Sequence, residues 1–147
     1  MSFFSKLTRK SFLLGALLAM GSTTAWAQKE LPYSYGFENN DLAAEGWTTQ
    51  NPSGFNSSEF GIAGDAKKTG NYGFRFSSYK ENGESTQYLI SPELSAPTGV
   101  MVTFSYKASG GSEEKFKVGY STTDTELTSF TFGSEYIVNS NSGWNTF

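Results

Sequence analysis

The feature that most restricts this chain is a set of short runs in which apolar and polar residues alternate one for one. VMVTFSYKA, residues 100–108, puts Val100, Val102, Phe104 and Tyr106 on one face and Thr103, Ser105 and Lys107 on the other. EKFKVGYS, residues 114–121, does the same with Phe116, Val118 and Tyr120 against Lys115 and Lys117. YGFRFSS groups Tyr72, Phe74 and Phe76, and YSYGF groups Tyr33, Tyr35 and Phe37. Successive strand side chains point to opposite faces, so these runs read as antiparallel strands with an apolar inner face and a wet outer one. SFTF around Phe130 and YIVN around Ile137 read as two shorter strands. Turn-forming clusters separate the runs: ENND, NPSG, KKTGN, KENGES, SAPTG, SGGSE and NSNSG. No sustained helical period follows Gln28, and AGDAKK offers one turn of helix at most. The pattern predicts about eight strands in two packed sheets, an all-β sandwich.

QYLISPELS, residues 87–95, qualifies that picture. Tyr88, Leu89 and Ile90 suit a buried strand, but Ser91-Pro92 follows at once. Proline has no N–H for a ladder and biases the preceding residue toward extended backbone. The strand must therefore end there, and the chain is expected to leave one sheet and enter another.

The first 27 residues stand apart. Lys6, Arg9 and Lys10 precede the apolar SFLLGALLAM, and Ala25-Trp26-Ala27 supplies a small-large-small site. Basic, apolar and A-x-A regions in that order read as a secretory signal peptide over residues 1–27. An uncleaved anchor is the alternative, although the run falls short of the roughly 20 residues of a membrane span. Residues 28–147 then form one domain of about 120 residues. Without those three basic residues, 8 of the 11 remain against 14 acidic ones, a net charge of about −6. An acidic chain without a basic cluster argues against nucleic acid and anionic membrane as partners. The chain has no cysteine, so its core must hold it without disulfides; 13 Phe, 8 Tyr and 3 Trp supply the bulk.

The missing residue types restrict the chemistry. With no His and no Cys, Ser-His-Asp and Cys-His catalysis and His- or Cys-ligated zinc are excluded. No phosphate-binding glycine loop occurs. Glu81, Glu84, Glu113 and Glu114 lie in Gly/Ser-rich turns, where charge reads as solvated surface rather than a glycosidase pair. The expectation is a non-catalytic chain.

Calcium is compatible with what remains, because it takes oxygen ligands from flexible loops. FENND offers Glu38 and Asp41 beside Asn39 and Asn40, and GIAGDAKKTG offers Asp65. Ordinary Asn/Asp turn chemistry is the competing reading. For ligand binding, Trp47, Phe55, Tyr79 and Trp144 lie in or near turns, where an exposed ring can stack on a sugar. Tyr79 and Trp47 are the candidates, weighed against the core role of most aromatics in a small sandwich.

The order of several motifs resembles the cleaved-adhesin domains, also called choice-of-anchor-J domains, and their MAM-like relatives, which include the haemagglutinin-adhesin regions of gingipain-type proteases. The pieces are YGFEN at 35–39, Gly46-Trp47, GNYGFRFSS at 70–78, QYLISPELS at 87–95, GVMVTFSYKAS and EKFKVGYSTT. The likeness spans about Tyr33 to Phe147. It implies a galactose-binding-like β-sandwich jelly roll, here ending before its last strands. It also implies structural calcium near the first strand, at Glu38 and Asp41. The expected function is a non-catalytic module, secreted or on the outer surface of a Gram-negative bacterium, that binds host extracellular protein or glycan, with further domains in the full-length protein. The alternative is an accessory carbohydrate-binding module of a larger secreted hydrolase.

Overall fold

The computed structural model describes residues 28–54, 57–77, 86–96, 98–110, 113–140 and 143–147. Among them the chain is all-β, with ten short strands, three 3-10 turns and no α-helix. The strands are β1 Thr48–Gln50, β2 Gly61–Ala63, β3 Gly73–Arg75, β4 Tyr88–Ile90 and β5 Ser105–Tyr106. They continue as β6 Glu114–Phe116, β7 Gly119–Tyr120, β8 Thr131–Phe132, β9 Tyr136–Val138 and β10 Asn145–Thr146. All pair antiparallel, as five two-stranded sheets: β1–β4, β2–β3, β5–β10, β6–β9 and β7–β8. The strands outnumber the expected eight because bulges and bends cut the alternating runs. YSYGF joins no ladder, and AGDAKK makes turns and bends without a helix.

The proline in QYLISPELS acts as its chemistry requires. Tyr88–Ile90 pairs with β1, with Thr48 opposite Ile90 and Gln50 opposite Tyr88. The ladder stops at Ile90. Beyond Pro92 the chain takes a new partner, Lys29, in a parallel bridge with Leu94. The Lys29 N–H donates to the Glu93 carbonyl at 2.8 Å, and the Ser95 N–H donates to the Lys29 carbonyl at 2.9 Å.

The second half is dominated by one interrupted ribbon. Phe116 faces Tyr136 and Gly119 faces Phe132. Two residues separate the paired positions on the first strand and three on the second, so the ribbon carries a one-residue bulge. The Gly133 N–H still donates to the Val118 carbonyl at 2.9 Å, which puts the extra residue at 134–135. There Glu135 lies between Lys115 and Lys117, at 3.7 and 3.9 Å.

The packing departs from the expected sandwich. Ile90, Ala108 and Val138 are the buried hydrophobic residues among those described. Val100, Val102 and Phe104, expected to face inward, are 48, 44 and 37 % exposed, and Tyr120 is exposed as well. A two-stranded piece covers one side of each strand and leaves the other without a neighbour. The rings gather instead in two clusters. One joins Tyr35, Phe37, Trp47, Phe60, Phe74 and Phe76, with centroids 4.8 to 5.9 Å apart. The other joins Phe104, Tyr106, Phe116, Tyr136 and Phe147. Both clusters line a cleft of ≈ 3670 Å³.

Candidate functional site

The densest polar geometry surrounds the loop 37–45. Phe37 and Asn40 have φ of 65° and 53°, and the Asn40 N–H donates to the Phe37 carbonyl at 3.0 Å. Asn tolerates the left-handed region; a bulky aromatic there stores about 1–3 kcal/mol of strain. The turn sends neighbouring side chains opposite ways. The Phe37 ring joins Tyr35, Trp47 and Phe74. The Glu38 carboxylate reaches the loop before β3, where both its oxygens accept the Asn71 N–H, at 3.0 and 2.9 Å. Asn71 Nδ2 adds a bond of 3.2 Å, and so does the Tyr72 N–H. The backbone N–H groups of Asn71 and then Tyr72, with the Asn71 side chain and the nearby Lys67 charge, hold this exposed carboxyl below its ordinary range. Gly70 admits the approach: its φ is +69°, and a Cβ there would run into the Glu38 carboxylate.

The rest of the loop is tied to itself. Asn39 Oδ1 accepts from the Tyr35 hydroxyl at 2.6 Å and the Asp41 N–H at 3.2 Å. Asp41 Oδ1 accepts the Ala44 N–H at 3.0 Å, opening the 3-10 turn Ala43–Glu45. Glu45 accepts from Asn39 Nδ2 at 3.3 Å and from Lys29 Nζ at 3.0 Å. Loss of hydration, followed by the charge of Glu45, raises the Tyr35 hydroxyl above its usual value.

The candidate metal ligands are not brought together. Glu38 holds the 70–72 loop, Asp41 caps a turn, and Asp65 pairs with Arg75 at 2.9 Å. Arg75 also grips Glu59, at 2.8 Å. Among the described residues no three acidic side chains gather into a cation site. The donors around Glu38 are N–H groups, which turn positive hydrogens toward its oxygens where calcium needs lone pairs. These three residues as arranged do not fit a shared calcium site.

Of the ligand-binding candidates, Trp47 is half-buried. Its Nε1 donates to the Tyr33 hydroxyl at 2.8 Å, and its ring stacks on Tyr35 at 5.8 Å and 28°. Tyr79 lies outside the described residues. Two contributors had no part in the sequence reading. Asn71 supplies both a backbone and a side-chain donor to Glu38; its place beside glycine in KKTGN is the available signal. Tyr120 presents its ring to solvent where alternation had assigned it inward.

No protein-family model, curated protein or solved structure significantly matches the chain. No helix among the described residues is long and apolar enough to cross a membrane.

Proposed function

We propose that this chain is an exported, non-catalytic binding module of the adhesin type, built on a jelly-roll sandwich and directed at host protein or glycan. One observation carries the reading. YGFEN and GNYGFRFSS, two motifs that resemble cleaved-adhesin domains, meet in space through Glu38 and Asn71, 33 positions apart. Such a tie fixes a loop end as a rigid platform, which a recognition surface requires. The absence of His and Cys supports a binding rather than a catalytic role. Asp41 and Asp65, engaged in holding loops, agree with it.

The exposed ring of Tyr120 favours glycan over protein, since an uncovered tyrosine offers a face for a pyranose. The test is binding of the purified chain to glycans and extracellular-matrix proteins at micromolar concentration. Loss of binding in Trp47→Ala, Tyr79→Ala or Tyr120→Ala, with fluorescence and circular dichroism unchanged, supports the reading. No binding to either class removes it.

A further inference from the structure

Residues 100–105 carry a feature that the proposed recognition role leaves unused. Val100 to Phe104 join no strand among the described residues, and Met101 is 88 % exposed. Immediately afterwards Ser105–Tyr106 pairs with β10, and the Phe147 N–H donates to the Phe104 carbonyl at 2.9 Å. Backbone groups alternate sides along a strand. Phe104 and Tyr106 direct theirs at β10, so Met101, Thr103 and Ser105 direct theirs at the opposite edge. No described strand lies along that edge.

Open edges normally carry a lysine, a proline or a bulge that blocks further pairing. Residues 98–106, TGVMVTFSY, contain neither residue type. They also lie within an uncharged stretch between Glu93 and Lys107, in a chain of net charge −3. Two copies meeting here bring no like charges into contact.

We propose that this edge is where two copies of the chain pair. A two-fold axis makes the paired strands antiparallel, the polarity the edge already shows with β10. Centred on Thr103, the ladder sets Thr103 of one copy opposite Thr103 of the other, Val102 opposite Phe104, and Met101 opposite Ser105. Threonine–threonine and β-branched–aromatic pairs are favourable cross-strand neighbours. The pairing satisfies the peptide groups of Met101, Thr103 and Ser105 on both copies.

The experiment uses the full chain, which has no cysteine of its own. Light scattering at micromolar concentration is expected to give twice the mass of one chain. Thr103→Cys is expected to form a covalent dimer under mild oxidation at least about tenfold faster than Thr122→Cys, an exposed loop control, because paired strands bring Cα atoms to ~5.5 Å. Thr103→Pro removes one N–H from the outer edge, leaves the β10 pairing, and is expected to give a monomer. A monomeric chain, or Thr103→Cys crosslinking no faster than Thr122→Cys, overturns the proposal and assigns the edge to another strand, from further along the same polypeptide or from a foreign peptide. The cysteine comparison decides the matter even where the proline variant does not fold.

Discussion

Glu38 accepts the backbone N–H of Asn71 with both carboxylate oxygens, at 3.0 and 2.9 Å, and so ties the loop before β1 to the loop before β3. The tie depends on charge. Glu38 has its folded value lowered from 4.5, so its contribution is complete above that value and is lost as pH falls through the lowered one. Asp124, lowered chiefly by the Ser129 side chain and then by the Glu126 N–H, has the same sign. Urea midpoints measured from pH 6 downward are expected to fall in acid, and Glu38→Gln to show a lower midpoint at pH 6 with a flatter acid limb. An unchanged limb in the variant would remove Glu38 from the acid response.

Gly70 accepts no side chain in this arrangement. Its positive φ costs an L-residue about 1–2 kcal/mol, and a Cβ also displaces the Glu38 carboxylate. Gly70→Ala is expected to lose at least that much stability. In a Glu38→Ala background the loss should shrink to the backbone part alone. Equal losses in both backgrounds would mean that the two residues do not interact.

Trp47 separates hydrogen bonding from ring packing. Trp47→Phe keeps an aromatic ring but removes the bond to the Tyr33 hydroxyl, an expected loss of about 1 kcal/mol. Trp47→Ala also removes contact with Tyr35 and Phe37 and should cost more. Equal losses by urea titration would show that ring packing contributes nothing.

The two charge clusters should behave differently. Arg75 meets Glu59 and Asp65 and donates Nε to the Glu59 carbonyl at 3.0 Å, an arrangement lysine cannot reproduce. Arg75→Lys is expected to cost about 1 kcal/mol. Glu135→Ala removes two long, exposed ion pairs and should stay within ~0.5 kcal/mol. The reverse order in chemical denaturation would contradict the geometry.

Calcium gives a fourth contrast. A cation at one hundred times its dissociation constant stabilises a fold by about 2.7 kcal/mol, a rise of several degrees in Tm. Glu38, Asp41 and Asp65 are each engaged elsewhere, so calcium addition and chelation are expected to leave Tm unchanged. A rise on adding calcium would require these carboxylates to gather.

The sequence by itself determined what is local. Period-two alternation put Phe74 and Phe76 on one face, and their rings lie 5.0 Å apart. It also set Lys115 and Lys117 on the outer face, and Pro92 ended the ladder begun at Tyr88 because proline carries no N–H. Only the tertiary structure decided the partners. That Leu94 meets Lys29, or that Glu38 meets Asn71, depends on how distant segments fold back, which no local period encodes. Alternation could name the apolar face of residues 100–106, but not whether another layer would cover it. That depends on how many strands each sheet recruits, and here each recruits two, leaving Val100, Val102 and Phe104 beside an open cleft.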